Sequence, residues 1–87
     1  GLKLVLPTDI VTNSKIVTRE PANGTIDGVN MVFNLAYPIV PGSECVYLNG
    51  ILMDEGAGND YTISGQVITF LYPPEIDDKL RVNYIAA

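Results

Sequence analysis

From Thr25 onward, apolar and polar positions alternate with a period close to two, and turn residues recur at roughly regular intervals. A period of two predicts β-strands, and frequent turns between short strands are typical of an antiparallel sandwich or barrel. Met31, Phe33, Leu35 and Tyr37 show the pattern, because they share one face of a predicted strand that ends at Pro38. No stretch longer than a turn has the period of a helix.

The pair Asn49-Gly50 predicts a first hairpin, because these two residues favour a type I′ turn. A two-residue loop pairs the residues on either side of it, so Leu48 would face Ile51 and Val46 would face Met53. All four side chains then share one apolar face, which supports this register.

A second hairpin is predicted around Ser64-Gly65. The same rule pairs Ile63 with Gln66 and Tyr61 with Ile68. Phe70 and Tyr72 continue the apolar face of the second strand.

A last strand, from Lys79 to Ile85, would point Lys79, Arg81 and Asn83 outward. The residues on the inward faces form the predicted core: Phe33, Leu35, Val46, Leu48, Ile51, Ile63, Ile68, Phe70, Leu80, Val82 and Tyr84. We therefore predict an all-β fold. It is a small antiparallel β-sandwich, Ig-like or jelly-roll-like, with about seven strands and tight hairpins.

The beginning of the chain has a different pattern. Residues Leu2 to Leu6 alternate weakly, Pro7 interrupts them, and a second apolar stretch runs from Lys15 to Thr18. Residues 1–18 are interpreted as an N-terminal extension or arm that pairs with another molecule, or else as further strands of the same domain. Residues 19–87 are the predicted sandwich domain.

Composition excludes several classes of function. The 87 residues include 5 Lys+Arg and 10 Asp+Glu, for a net charge of −5, with one Cys and no His or Trp. This balance argues against nucleic-acid binding, histidine catalysis, a disulfide framework and a Cys/His zinc site. No apolar run is long enough to span a bilayer. We predict a protein that is not an enzyme, needs no cofactor and binds neither nucleic acid nor a membrane.

One acidic loop is a candidate cation site. Between Asp54 and Asp60 four oxygen-bearing side chains surround two glycines, and hard cations bind such oxygens. The weak calcium candidates are Asp54, Glu55, Asn59 and Asp60, although the spacing does not fit an EF-hand. The alternative is a solvated hairpin loop in which Asp60 bonds its own backbone. The acidic stretches 27–30 and 75–78 are predicted to be exposed turns.

Aromatic and apolar residues suggest where a partner could bind. Tyr37, Tyr61, Tyr72 and Tyr84 fall on the predicted apolar faces, whereas Tyr47 lies on the opposite face of its hairpin. Cys45, predicted to be a small buried hydrophobe, and Leu52 would be neighbours of Tyr47 on that side. If nothing covers this face, it is an apolar patch for a partner. The interface candidates are Leu2, Leu4, Leu6, Ile16 and Tyr47.

An ordered series of short stretches extends over about three-quarters of the chain: 24–30, 32–35, 41–44, 46–50, 60–65, 68–70, Pro73-Pro74, Asp78, 80–82 and Tyr84. In this series the chain resembles a recurring small β-domain of tailed-bacteriophage virion proteins, of the capsid-decoration, tail or fibre accessory type. Asp77 departs from the pattern, which has a glycine there, so this turn is expected to differ in shape. Residues 1–18 lie outside the resemblance.

The resemblance implies a non-enzymatic structural or accessory protein of the virion, assembled in the cytoplasm of a bacterial host. It implies binding to other capsid or tail proteins, self-association into a homo-oligomer, and stabilisation or decoration of the particle. The alternative is a carbohydrate-binding module of a tail or fibre protein that contacts a host-surface glycan. A bacterial adhesin module is a third interpretation.

Overall fold

The computed structural model describes residues 15–87 and contains seven β-strands and no helix in that range. The strands are β1 (Lys15–Glu20), β2 (Val32–Asn34), β3 (Cys45–Leu48), β4 (Ile51–Leu52), β5 (Tyr61–Ser64), β6 (Val67–Phe70) and β7 (Leu80–Ala86). They form a four-stranded sheet in the order β1-β7-β3-β4 and a three-stranded sheet in the order β2-β6-β5. All pairings within the two sheets are antiparallel. The predicted all-β sandwich is confirmed.

The core lies between the two sheets and follows from the alternation of the strands. In β7, Leu80, Val82 and Tyr84 are buried, and they face Phe33 of β2 and Ile68 of β6. The rings of Phe33 and Phe70 pack in a T-shaped arrangement, with centroids 5.7 Å apart. Eight of the eleven predicted core residues are buried, namely Phe33, Leu35, Val46, Ile68, Phe70, Leu80, Val82 and Tyr84. Leu48 and Ile63 are partly buried against them.

The first hairpin has the predicted register. Leu48 pairs with Ile51, and both turn residues have a positive φ, 55° at Asn49 and 81° at Gly50, as a type I′ turn requires. Ile51 is nevertheless 64% exposed, so its placement in the core was wrong. The reason is its position: β4 is a short edge strand of the four-stranded sheet, and the other described sheet has only three strands to cover it.

The second hairpin turns one residue later than predicted. Its turn is Gly65-Gln66, and Ile63 pairs with Ile68. Gly65 has a φ of 63°, which suits glycine at the first central position of a type II′ turn. Moving the turn by one residue shifts each partner by two positions. Every side chain therefore keeps its face, which is why the core prediction survived the wrong register.

Two tyrosines predicted on apolar faces are exposed instead. Strand β6 ends at Phe70, and Tyr72 lies beyond it in the loop that enters Pro73, with 77% of its surface exposed. Tyr37 is exposed because β2 ends at Asn34, and Lys15 Nζ lies 3.8 Å from the centre of its ring. Alternation predicted the faces within each strand but not where each strand ends.

Strand β1 shows where the sandwich begins within the described residues. Lys15, Ile16 and Val17 pair with β7, and Val17 packs against the core. The proposed boundary after residue 18 falls inside β1, and residues 15–17 pair with β7 of the four-stranded sheet. The interface candidates Leu2, Leu4 and Leu6 lie outside the described residues.

A bulge in β1 brings Glu20 into contact with both sheets. The register shifts between Val17 and Glu20, and Arg19, with a φ of 55°, donates its N–H to Asn83 Oδ1 at 2.7 Å. Glu20 Oε1 then accepts a hydrogen bond from the Tyr84 hydroxyl, and Oε2 accepts one from the Ala36 N–H, each at 2.7 Å. This one carboxylate thus ties β1 to β7 and to the loop after β2.

Candidate functional site

The surface that carries the interface candidates Ile16 and Tyr47 is the outer side of the four-stranded sheet. Five apolar side chains point away from the core there, at least one from each strand, and we call them the outer face: Ile16, Cys45, Tyr47, Leu52 and Ile85. Their orientation follows from alternation, because each lies next to a residue that packs inward, such as Val46 or Tyr84.

The strand register joins these residues into one surface. Ile16 pairs with Ile85, and Tyr47 pairs with Leu52, so each pair shares one side of the sheet. Cys45 lies two residues before Tyr47, on the same side of the sheet, and pairs with Asn83 of β7. Ile16 is 63% exposed and Leu52 is 54% exposed, whereas the other three are partly buried. The surface therefore has two protruding apolar ends with a flatter centre.

Two polar residues of β7 lie between them. Arg81 pairs with Tyr47, and Asn83 pairs with Cys45. Asn83 Oδ1 already accepts the Arg19 N–H, and Arg81 Nη1 donates to the Leu80 carbonyl oxygen at 2.7 Å. Both polar residues thus make hydrogen bonds within the domain. Arg81 also gives this surface a positive charge.

The three-stranded sheet has a more polar outer surface. Its outward positions include the exposed residues Val32, Asn34, Thr62, Ser64 and Thr69. Hydroxyl and amide side chains can satisfy their hydrogen bonds with water. Among residues 15–87 the two outer surfaces thus differ in chemistry, and only the first combines apolar residues from all of its strands.

Two of the interface candidates, Ile16 and Tyr47, lie on the outer face. Leu52 neighbours Tyr47 on the same side of the sheet, as predicted. Cys45 was predicted to be buried but is half-buried on this surface, because β3 belongs to a sheet with one side open. Ile85 was not singled out, although alternation after Arg81 and Asn83 already indicated an outward position.

The acidic loop between β4 and β5 uses several of its polar groups internally. Asp60 Oδ2 accepts the Asp54 N–H at 2.8 Å, and Asn59 Nδ2 donates to the Glu55 carbonyl oxygen at 3.1 Å. Asp60 therefore bonds the backbone of its own loop, as the alternative to a calcium site describes. Within residues 15–87, no three acidic or cysteine side chains come together as a metal-binding group.

An open cleft of about 300 Å³ lies beside the exposed ring of Tyr72. Asp60, Glu75 and Asp78 supply carboxylates to its lining. Asp78 uses both oxygens within the domain, accepting the amide of Asn49 at 2.9 Å and the Glu75 N–H at 2.8 Å. An aromatic ring beside carboxylates is the combination that a sugar would need, but part of the acceptor capacity is already used.

Two further tyrosines are buried donors to glutamates. Tyr84 donates to Glu20, and burial together with that carboxylate raises the pKa of Tyr84 to about 12. Tyr61 donates to Glu44 Oε2 at 2.9 Å, and burial, followed by the effect of Glu44, raises the pKa of Tyr61 well above its usual value. Both hydroxyls therefore stay protonated at neutral pH. The sequence contains no histidine that could act as a base toward them.

The described part of the chain has no helix long and apolar enough to cross a membrane. Comparisons of the chain with models of protein families, with curated proteins and with solved structures find no match. The fold and the outer face therefore carry the functional argument, together with the sequence resemblance.

Proposed function

We propose that this domain is a non-enzymatic structural or accessory protein of a bacteriophage virion that binds other capsid or tail proteins through its outer face. The observation that carries the proposal is that all four strands of one sheet place an apolar side chain on its outer side, from Ile16 to Leu52. The ordered resemblance of residues 24–84 to small β-domains of virion proteins supports the assignment to a virion.

Protein binding fits the energetics of this surface. Complete burial of a leucine or isoleucine side chain contributes about 1.5–3 kcal/mol. Leu52 and Ile16 each expose more than half of their surface, so a partner that covers them would gain roughly 1 kcal/mol from each. Tyr47 and Arg81, adjacent across β3 and β7, belong to the residue types that dominate binding energy in protein interfaces.

A second copy of the chain is a proposed partner as well. A two-fold interface uses the same surface of both subunits, so each apolar residue of the outer face would be buried once in each subunit. Light scattering should then report a mass that is a multiple of 9.4 kDa and that rises with concentration.

The test replaces Leu52 by lysine and compares it with Val32→Lys. Both positions are exposed strand residues, but Val32 lies on the outer surface of the other sheet. L52K should weaken self-association or virion binding by at least about fivefold, from the loss of roughly 1 kcal/mol of apolar burial. V32K should leave both unchanged. Equal behaviour of the two variants would contradict the outer face as the binding surface.

The proposed assignment to the virion is tested separately. Mass spectrometry of virions purified from the phage or prophage that carries the gene should detect this chain at a stoichiometric level, and L52K should reduce its copy number. Virions that lack the chain would refute the virion assignment while leaving the outer face open to another partner.

A glycan-binding function is the second candidate, favoured by the exposed Tyr72 ring beside the 300 Å³ cleft. A sugar ring stacked on Tyr72 would hydrogen-bond to Glu75. Titration with host-surface oligosaccharides, followed by tyrosine fluorescence, would show saturation for the native chain and none for Tyr72→Ala. Absence of saturation in the native chain would rule this candidate out.

A further inference from the structure

The three most exposed large apolar side chains in the described part of the chain lie together at one end of the sandwich. Val29 and Tyr72 are each 77% exposed, and Ile76 is 70% exposed. The Gly28 N–H donates to the Pro74 carbonyl oxygen at 2.9 Å, and each of the three lies within two residues of that hydrogen bond. This bond joins the loop before β2 to the loop after β6. We call Val29, Tyr72 and Ile76 the apolar end.

Hydrogen bonds hold both loops of the apolar end in place. Asp27 Oδ1 accepts the N–H groups of Val29 and Asn30, each at 2.9 Å. In the other loop, Asp78 Oδ2 accepts the Glu75 N–H at 2.8 Å. A partner that covers these side chains therefore has less backbone entropy to overcome. A group of exposed apolar residues on fixed loops is typical of an interaction site.

Acidic residues surround the apolar end. Asp27 precedes Gly28, and a Cβ on Gly28 would lie 3.3 Å from Glu75 Oε1, so the Glu75 carboxylate lies beside the contact between the two loops. Asp77, in the second loop, is exposed. Positions 20–78 of the sequence contain no lysine or arginine. The surface that complements the apolar end is therefore apolar and carries positive charge.

The outer face of a second copy has this complementary composition. The four strands of its sheet contain one acidic residue, Glu20, and three basic residues, Lys15, Arg19 and Arg81. Glu20 is bonded to the Tyr84 hydroxyl within the domain, whereas Arg81 lies among the apolar residues of the outer face. Two outer faces in contact would bring both Arg81 side chains to one interface, and two apolar ends would bring carboxylates together. Contact between an apolar end and an outer face pairs opposite charges instead.

We propose that the apolar end of one copy binds the outer face of a second copy, so that the chain assembles head to tail. The two surfaces of such a contact differ, so a pair of copies still has one free surface of each kind. The contact can then repeat as a ring or a filament, whereas a two-fold contact between outer faces would stop at a dimer. The inference rests on the proposed function of the outer face as a binding surface and names its occupant.

Two variants, Val29→Asp and Leu52→Lys, each disable one of the two surfaces. Light scattering at low salt, where charges attract strongly, should show self-association of the native chain. V29D and L52K should each weaken it at least about tenfold. An equimolar mixture of the variants should form a heterodimer and nothing larger, because only the apolar end of L52K and the outer face of V29D are intact. Native mass spectrometry identifies this heterodimer, since the two variants differ in mass.

Val40→Asp is the matched control. It makes the same substitution at another exposed valine, which lies in the loop before β3 and outside both surfaces. V40D should change self-association less than about twofold. Formation of the heterodimer also shows that V29D and L52K are folded.

Three results would each overturn the proposal: a native chain that stays monomeric, a V29D variant that associates as the native chain does, or a mixture without heterodimer. If V29D associates normally and L52K does not, the outer face remains the binding surface and the contact is two-fold. If L52K and V32K bind virions equally well, the proposed function fails, whatever V29D does.

Discussion

Gly24 lies against the aromatic core, and replacing it by alanine should destabilise the domain strongly. A Cβ at this position would overlap Phe33 Cδ2 and would lie 2.9 Å from Cε2 and 3.1 Å from the Val32 carbonyl oxygen. Phe33 cannot move aside easily, because it is fully buried and its ring packs in a T-shaped arrangement with that of Phe70. The added methyl group must therefore displace a core ring or the backbone of β2.

The cost has two parts. Forcing an extra carbon into a packed core costs about 1–3 kcal/mol. The φ of +156° at Gly24 is one that side-chain-bearing residues rarely adopt, which adds about 1 kcal/mol. The sum of about 2–4 kcal/mol should lower Tm by roughly 10–30 °C in a domain of this size. Thermal unfolding followed by circular dichroism measures the change in Tm, and urea unfolding measures the change in the free energy of unfolding.

Gly50→Ala is the matched control. Gly50 also has a positive φ, 81°, but no heavy atom lies within 4 Å of its added Cβ. Only the backbone cost of about 1 kcal/mol should then appear. Phe33→Leu shortens the opposing side chain, so the double variant G24A/F33L should lose less stability than the sum of the two single changes. A G24A variant no less stable than G50A would refute the steric argument.

Three further predictions concern titration, a turn and the acidic loop. Because the pKa of Tyr84 is raised to about 12 and that of Tyr61 also rises, the folded state favours both neutral hydroxyls. Their contribution to the free energy of unfolding is fully present below pH 10 and is lost as the pH rises toward 12. The loss is up to about 1.4 kcal/mol per pH unit for each tyrosine. Urea unfolding between pH 8 and 11.5 should show this decline, and Tyr84→Phe should make it shallower; an equal slope would contradict it. Asp77 has a φ of 74°, the conformation that glycine adopts without strain, so Asp77→Gly should raise Tm slightly and Asp77→Ala should lower it. The reverse order would mean that the backbone of this turn is not strained. Since Asp60 and Asn59 bond the backbone of their own loop, Tm should be the same in calcium and in EDTA. A Tm that rises with calcium and falls again with EDTA would show that the loop binds it.

The turn at Asp77 is the place where the chain departs from the pattern of the resemblance, which has a glycine there. Asp77 has a φ of 74°, a conformation that glycine adopts without strain. Aspartate tolerates this region better than most residues, so the turn does not require a glycine.

Local patterns were sufficient for the strands and for most of the core. The period of two places Val46, Ile68, Leu80 and Val82 on inward faces, and Asn49-Gly50 sets the register of its hairpin. These features depend on neighbours in the chain, so the sequence expresses them directly. Errors fell where a strand ended early, at Tyr72, or where a short edge strand lay uncovered, at Ile51.

The outer face and the buried carboxylates depend on contacts between distant residues. Ile16 and Ile85 meet only because β1 pairs with β7, and Glu44 receives its hydrogen bond from Tyr61, 17 residues away. No local periodicity indicates such partners, since they follow from the order of strands in each sheet and from the packing of one sheet on the other. The sequence by itself therefore determined a β-sandwich and its inward faces. Only the tertiary structure decided which outward apolar residues share one surface and which buried carboxylate oxygen is left without a donor.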